Sequence, residues 1–323
     1  MSQGQFLSNC AADAMSQAAQ LIKNGSLVAF PTETVYGLGA DATNAGAVAR
    51  IYKVKGRPQD HPLIVHIGDM QAIGEWADEI PDYAIDLARN FWPGPMTLIL
   101  KRSELAQDFI TGGQDTVGLR VPDHSLALAL LNESAKLGVK GIAAPSANRF
   151  GNVSPTTAQA VSDELSPYLI DGDTILDGGP SNVGVESTII DCTGELLRIL
   201  RPGAITSAMI EDVTGLTLGA HEADEKIRVS GSLESHYAPK ASVVLNAEPQ
   251  AGDGFIAPHD VATPEDVIRL AAPLNDEDFA RVLYEALRTA DAQNLSKVVV
   301  HEPQGEGIAV AIRDRLKRAS QGR

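Results

Sequence analysis

The chain has 323 residues, enough for two domains, and its 44% hydrophobic content is ordinary for a globular protein. Its 42 acidic and 26 basic side chains give a formal net charge of −16, which argues against strong, sequence-independent nucleic-acid binding. No apolar run reaches the length of a membrane span, and the first residues lack a secretory signal pattern. Cys10 and Cys192 have no metal-ligand spacing. We therefore expect a cytoplasmic protein with reduced thiols and no membrane partner.

Helix and strand patterns alternate through the first two hundred residues. We expect a first helix over 13–23, with Asp13 as its candidate N-cap and Gly25 as its stop. Strands are predicted at 26–30, 62–67, 96–100, 116–121, 141–145, 187–191 and 196–200. Further helices are predicted after Asn44 to about Lys53, after Asp69 and Asp82, and near 125–137, 157–165 and 206–214. The last two strands follow each other directly, which predicts a hairpin and hence a mixed sheet.

The pattern changes between residues 215 and 240, where the chain is polar and has no sustained period. A second α/β pattern follows, with strands predicted at 241–246, 254–258, 267–271 and 297–301 and helices at 276–291 and 307–319. This pattern predicts a small, Rossmann-like parallel sheet. We therefore predict an N-terminal α/β domain over 1–214, a linker or lid over 215–240 and a small C-terminal α/β domain over 241–323.

Basic residues cluster in the segment KVKGRPQDHPLIVHI, residues 53–67. Residues 42–59 hold four cations and no acid, which is unusual in so acidic a chain. Gly56 and Pro58 predict a turn, and we expect that turn to be exposed and to carry Lys55 and Arg57. A positive turn beside a strand suits phosphate binding, and a solvated basic face is the alternative.

Two glycines follow the polar segment FPTETVYGLGADA, residues 30–42. Gly37 and Gly39 would let the backbone approach a ligand closely, beside the side chains of Thr32, Glu33, Thr34 and Tyr36. The fragment GLGADA also fits a loose dinucleotide-binding pattern, but the acidic partner expected about 20 residues further on is missing. We reject the dinucleotide interpretation, and an ordinary turn remains an alternative to a binding loop.

Arg120 lies among apolar neighbours on a predicted strand, in TVGLRVP at residues 116–122. A half-buried arginine needs an anionic partner, which is either an internal carboxylate or a substrate carboxylate or phosphate. Small polar residues that suit an anion follow in AAPSANRFGNVSPT and in GVESTII and RILRPG, and they include Ser146, Asn148, Gly151, Ser154, Ser187, Thr188 and Arg201. Such a site, without a nucleophilic triad, favours phosphoryl or nucleotidyl transfer, where catalysis is largely placement and charge neutralisation.

Seven stretches, in order over about residues 12–240, together resemble the YrdC-like threonylcarbamoyl-AMP synthases: PTETVYGLG, KGRP..HPL, VGLRVP, APSAN..G..SPT, ESTIID, LRPG and HYAPKA. The C-terminal part is similar to the extra domain of the long form. The resemblance implies that L-threonine and bicarbonate or carbon dioxide form a carbamate, which attacks the α-phosphate of ATP. The products are threonylcarbamoyl-adenylate and pyrophosphate, and a separate tRNA threonylcarbamoyl transferase receives the adenylate.

The same resemblance implies the site residues. L-threonine is expected at Thr34, His66, Arg120, the backbone of Ala144, and Ser187. ATP is expected at Arg57, His61, Thr116, Ser146, Ser154, Arg201 and Tyr237, with Lys55 and Arg57 as the catalytic cations. His61 departs from the family, where many members have Asn or Lys. Mg²⁺ is expected to arrive with ATP, with no protein metal site and no tightly bound cofactor, and the linker is expected to close over the site through Tyr237.

Three other functions remain open at this stage. The chain could form a carbamoyl-adenylate with another acceptor, act as an RNA-binding or ribosome-maturation factor, or be a regulatory module that binds ATP without turnover. Threonine-dependent release of pyrophosphate distinguishes the expected enzyme from all three.

Overall fold

The computed structural model of the protein describes residues 5–7, 12–194, 196–219, 227–231 and 237–322. Within these ranges two β-sheets form, each flanked by helices. No helix in the same ranges is both long and apolar enough to cross a bilayer. Cys192 is buried and free, whereas Cys10 falls outside the described residues.

The larger sheet has ten strands, numbered along the chain: β1 Gln5–Leu7, β2 Val28–Phe30, β3 Gly37–Asp41, β4 Ile64–His66, β5 Met96–Lys101, β6 Thr116–Arg120, β7 Ile142–Ala143, β8 Thr174–Leu176, β9 Thr188–Asp191 and β10 Arg198–Arg201. Their order across the sheet is β1-β8-β2-β3-β7-β4-β6-β5-β9-β10. The sheet contains parallel pairs, such as β4 with β6, and antiparallel pairs, such as β5 with β6. The predicted mixed sheet is thereby confirmed, as is the hairpin of β9 and β10.

Helices cover this sheet, and all but the short one over 108–111 were predicted from the sequence. They are α1 Ala12–Lys23, α2 Ala45–Lys55, α3 Ile73–Trp76, α4 Asp82–Phe91, α5 Asp108–Thr111, α6 Ser125–Lys136, α7 Ala158–Leu165 and α8 Ser207–Thr214. Asn44 caps α2, because its side chain accepts a hydrogen bond from the Ala47 backbone N–H at 3.1 Å. The predicted capping role of Asp13 is not supported, since Asp13 lies inside the first turn of α1.

The basic segment differs from the prediction. Helix α2 continues through Lys55 and ends at Gly56, whose φ of 63° is the left-handed conformation that favours glycine at a helix C-terminus. Lys55 and Arg57 are only 2% and 7% exposed, so the expectation of an exposed turn was wrong. The two cations are held inside the protein, and Lys53 alone of the three basic residues projects into solvent.

Strands β1, β3 and β8 were not predicted from the sequence. The glycines of β3 argue against a strand, but at Gly39 a side chain would come within 2.8 Å of both Ile142 and Phe30. Glycine is therefore required there by the close packing of neighbouring elements. This is a tertiary constraint that strand propensity does not contain.

The smaller sheet is entirely parallel, as predicted. Its strands β11 Ser242–Leu245, β12 Gly254–Ile256, β13 Ile268–Ala271 and β14 Lys297–Val300 are ordered β11-β14-β12-β13, and its helices are α9 Asp276–Ala292 and α10 Ile308–Ser320. Its hydrophobic core continues into the first domain, where Val35, Val153 and Val185 pack with residues of α9 and α10. Loops of the first domain and helices of the second therefore share one buried apolar core.

Candidate active site

One cleft gathers strand ends and loops from distant parts of the chain. It is lined by Thr32, Thr34, Val35, Tyr36, Gly37, Lys55, Arg57, Ile64, His66, Arg120, Ala144, Pro145, Ser146, Glu186, Ser187, Arg201, Ser230, Gly231 and Tyr237. Ten of the thirteen site residues predicted from the sequence are in this lining. Their assignment to threonine or to ATP remains a prediction.

Three predicted residues lie outside the lining. His61 packs edge-on against the Phe150 ring, with centroids 5.3 Å apart. Thr116 borders a small neighbouring groove beneath Arg228. Ser154 is fully buried, and its hydroxyl donates a 2.6 Å hydrogen bond to Glu186. Each is close to the cleft wall, but none faces the cavity.

Lys55 fastens the loop that follows β7. Its ammonium donates to the backbone carbonyls of Ser146 at 2.6 Å and Asn148 at 2.5 Å. Burial, assisted by the nearby charge of Arg57, lowers the pKa of Lys55 well below its usual value. The lysine therefore contributes to the shape of the cleft as well as to its charge.

Two buried arginines, Arg57 and Arg201, add positive charge to the cleft lining. Arg57 donates to the Pro62 carbonyl at 3.0 Å and to the Ser230 hydroxyl at 3.1 Å, and burial lowers its pKa to about 10. Arg201 donates to Ser187 through two nitrogens, each at 3.0 Å. All of these acceptors are uncharged, so both guanidinium groups keep charge available for an anion.

His66 and Arg120 are side by side because β4 and β6 pair in parallel with these two residues in register. Nη2 of Arg120 lies 2.6 Å from Oε1 of Glu33, and both side chains are buried. Burial and the charge of Arg120 lower the pKa of His66 to about 3, so the imidazole is neutral. Nδ1 of His66 has no hydrogen-bond partner among the described residues, which leaves a neutral polar atom at the site.

Hydroxyl groups complete this part of the cleft. Ser187 and Thr97 share a hydrogen bond of 2.8 Å between their hydroxyl oxygens. Thr32 and Thr34 do the same at 2.8 Å, and the Thr32 hydroxyl also donates to the Val35 carbonyl at 2.6 Å. The bond from the Thr32 side chain to the Val35 backbone closes a turn and so fixes the polar segment that follows β2.

Three of the described linker residues, Ser230, Gly231 and Tyr237, line the cleft, and Arg228 lines the small groove beside it. Arg228 donates to the Asp60 carbonyl at 3.1 Å and to the Gly112 carbonyl at 2.8 Å. Tyr237 is buried, has a positive φ of 60°, and stacks on Tyr284 of α9 with ring centroids 5.7 Å apart. His236, the histidine of the HYAPKA stretch, falls outside the described residues.

Glu186, Ser230 and Gly231 are lining residues that sequence reasoning missed. Glu186 had a detectable signal, since a carboxylate inside the otherwise small and apolar run GVESTII must find a buried partner. Ser230 and Gly231 had none, because they fall in the polar stretch interpreted as linker. Glu33 was noted in its motif but not as the partner of Arg120.

No cluster of three His, Cys, Asp or Glu residues suited to a metal ion occurs among the residues that the structure describes. The cleft instead combines buried cations, a guanidinium fork and hydroxyl groups, which bind anions and orient a zwitterion. A mixed α/β domain with such a cleft belongs to the class of enzymes that transfer groups by positioning anionic substrates.

Comparison with known proteins identifies the family. A family model described as "Telomere recombination" (Sua5/YciO/YrdC) matches residues 20–203, and one described as "Threonylcarbamoyl-AMP synthase, C-terminal domain" matches residues 205–321. The chain therefore belongs to the Sua5/YciO/YrdC family, in the form that carries the Sua5 C-terminal domain.

Several curated relatives span nearly the whole chain. Threonylcarbamoyl-AMP synthases of Bacillus subtilis and Pyrococcus abyssi are each 38% identical, over 96% and 94% of this chain and 93% of each relative. The crystal structure of Pyrococcus abyssi Sua5 complexed with L-threonine has a TM-score of 0.88 and 36% identity, and covers 98% of both chains. These comparisons agree with the resemblance found in the sequence motifs.

Proposed function

We propose that this protein is an L-threonylcarbamoyladenylate synthase. The observation that carries the proposal is one cleft lined both by Arg120 with its hydroxyl neighbours and by the buried cations Lys55, Arg57 and Arg201. These two groups of residues have the charges and hydrogen-bonding groups that complement an amino acid and a triphosphate. The names of the full-length relatives support the same activity.

The reaction has two steps. The α-amine of L-threonine attacks carbon dioxide, supplied as such or from bicarbonate, and loses a proton to form a carbamate. A carbamate oxygen then attacks the α-phosphorus of ATP, the bond from that phosphorus to the oxygen bridging to the β-phosphorus breaks, and pyrophosphate leaves. The protein's contribution is to align the two anions and to neutralise charge as it moves toward pyrophosphate.

Threonine binds on the Arg120 side of the cleft in this proposal. The guanidinium fork receives the amino-acid carboxylate. The hydroxyls of Thr34 and Ser187, the neutral imidazole of His66 and the backbone of Ala144 surround the rest of the substrate. A neutral His66 fits this role, since a second cation is not needed beside a zwitterion.

The triphosphate lies toward Lys55, Arg57 and Arg201, with Ser146 beside it. His61, Thr116 and Ser154 do not face the cavity in the conformation described, so their contacts with ATP require the side chains or the linker to move. We assign magnesium to the nucleotide itself, as part of the substrate. Phosphate oxygens and water supply most of the ligands of Mg²⁺ in such complexes.

The linker acts as a lid in this proposal. Ser230, Gly231 and Tyr237 line the cleft, and Ser230 is hydrogen bonded to both Arg57 and Arg201. A lid excludes water and protects a labile adenylate from hydrolysis. We infer that the product passes to tRNA threonylcarbamoyl transferase proteins in the cytoplasm.

The test is release of pyrophosphate from ATP with bicarbonate, magnesium and each amino acid in turn. Threonine should drive release, and serine should be about tenfold poorer, because a missing methyl group costs about 1–3 kcal/mol. Valine should be far poorer, because it leaves the site's hydroxyl groups unpaired. Equal rates with valine and threonine would refute the proposal, release with another amino acid would indicate a different acceptor, and ATP binding without turnover would indicate a regulatory module.

A further inference from the structure

Glu186 is a buried carboxylate in the cleft wall, immediately before Ser187. Its Oε1 accepts the hydrogen bond from Ser154 described above. Its Oε2 accepts two more, each of 2.8 Å, from the Tyr284 hydroxyl and from Nε of Arg315. Tyr284 is on α9 and Arg315 is on α10, so the C-terminal domain supplies two of these three hydrogen bonds.

Arg315 is fully buried and holds Glu186 from behind the cleft wall. Its Nη2 also donates to the Pro202 carbonyl at 2.9 Å, and its Nη1 lies 2.5 Å from the Asp314 carboxylate. A buried carboxylate is tolerated only where a cation and hydrogen-bond donors surround it. Burial alone would raise the pKa of Glu186, but Arg315 and then Arg201 outweigh burial and lower it to about 2.

Arg201 is the second cation that acts on Glu186, and it faces the cleft. Its hydrogen bonds run to the carbonyl and hydroxyl of Ser187 and, at 2.9 Å, to the Ser230 carbonyl. These acceptors are uncharged, so none of these hydrogen bonds neutralises the charge of Arg201. If Arg315 were removed, the whole charge of Glu186 would act on Arg201, and the carboxylate would compete with any anion for that guanidinium.

We propose that Arg315 is a positioning residue for nucleotide binding: by neutralising Glu186 from α10, it keeps Arg201 available to the phosphates of ATP. The C-terminal domain then contributes a charge to the N-terminal site without touching the nucleotide. This inference rests on the proposed function, because it names ATP as the anion. The C-terminal domain then affects ATP binding, which a purely structural contact between the domains would not do.

The test compares variants of the full-length protein by threonine-dependent pyrophosphate release. Arg315→Met should raise KM for ATP about tenfold, the size of coupling typical of adjacent charges. KM for threonine should change by less than about threefold, because the threonine site is not coupled to the Glu186–Arg315 pair. The double variant Glu186→Gln with Arg315→Met should recover most of the ATP affinity, because no uncompensated carboxylate remains.

Arg313→Met is the matched control on the same helix, since Arg313 donates to the Pro303 and Gly305 carbonyls of its own domain. It should leave both KM values unchanged. If Arg315→Met does not fold, Arg315→Lys and Glu186→Gln decide the question. Arg315→Lys keeps the charge and should retain KM for ATP within about threefold, and Glu186→Gln should lower KM or leave it unchanged.

Three results would overturn the inference. The first is a folded Arg315→Met protein with native KM for ATP, the second is a double variant as impaired as Arg315→Met, and the third is a Glu186→Gln protein with strongly raised KM. Calorimetry with a non-hydrolysable ATP analogue measures how each variant changes the affinity for the nucleotide, without turnover. A wild-type protein that binds the analogue but releases no pyrophosphate with threonine would refute the proposed function while still testing this inference.

Discussion

Glu33 and Arg120 form a buried ion pair, 2.6 Å between Oε1 and Nη2, that lacks hydrogen-bond geometry. Both carboxylate oxygens of Glu33 and Nη2 of Arg120 have no hydrogen-bond partner among the described residues. The guanidinium therefore has charge compensation inside the protein but retains an unused donor. A substrate carboxylate that bound there would gain a hydrogen bond that Glu33 does not make.

We expect Arg120→Ala to weaken threonine binding by about 2–5 kcal/mol and to leave ATP binding much less affected. Arg120→Lys should rescue poorly because it lacks the fork. Calorimetry with threonine measures the effect, and exposed Arg89 provides the control Arg89→Ala. Arg120→Ala also leaves the buried Glu33 carboxylate without its ion-pair partner. Adding Glu33→Gln should therefore restore stability but not threonine affinity. Intact threonine affinity in Arg120→Ala would show that the arginine is structural.

The buried hydrogen bonds of Lys55 predict that replacing it lowers the stability of the protein. Lys55→Met should lower the free energy of unfolding by about 2 kcal/mol, because it leaves the Ser146 and Asn148 carbonyls without their donor. Lys53→Met, at the exposed lysine two residues earlier, should change stability by less than about 0.5 kcal/mol. Denaturant unfolding measures both. Equal stability of the two variants would contradict the bonding role of Lys55.

The lowered pKa of His66 predicts a pH dependence of stability. Its folded pKa of about 3 lies below the ordinary value of 6.5, so between these values the unfolded chain binds more protons. The free energy of unfolding should therefore fall as pH falls, by about 2 kcal/mol between pH 7 and pH 5 from this residue. His66→Gln should remove that part of the slope, whereas His61 and His124 contribute equally to both proteins. Identical slopes would refute a neutral, buried His66.

Gly231 offers a test of the lid. Its φ is 84°, and a Cβ there would lie 2.2 Å from the Tyr237 hydroxyl oxygen. Gly252 has the same φ with nothing within 4 Å, so it is a matched control for backbone strain. Gly252→Ala should lose about 1 kcal/mol of stability through backbone strain, and Gly231→Ala should lose more, because Tyr237 must also shift. Pyrophosphate release should fall only in Gly231→Ala, and equal activities would contradict a lid role for Tyr237.

Truncation near residue 210 addresses the C-terminal domain as a whole. The shortened chain should lose most adenylate synthesis, since it lacks Tyr237, Ser230 and Arg315. Its surface would also expose Val35, Val153 and Val185, which pack in the shared core. Pyrophosphate release measured beside a melting curve separates the two effects. Synthesis at the full-length rate would remove any catalytic task from the linker and the second domain.

Local sequence signals were sufficient for much of the fold. Asn44 was correctly predicted to cap α2, an effect of neighbours within four residues, whereas Gly56, predicted to lie in a turn, ends α2 two residues beyond its predicted end. The direct succession of 187–191 and 196–200 predicted the β9–β10 hairpin, and the regular strand–helix alternation after residue 241 predicted the parallel C-terminal sheet. The ordered motifs also identified the family, because their spacing is preserved over most of the chain.

Only the tertiary structure decided which charged side chains pair with each other. Glu33 is 87 positions from Arg120, and Glu186 is 129 positions from Arg315, so no local pattern couples either pair. The same holds for Lys55, whose burial depends on carbonyls more than 90 positions away. The sequence by itself determined which residue types could bind anions and amino acids. Folding determined which of them are buried and paired, because desolvation and long-range contact set the cost of every buried charge.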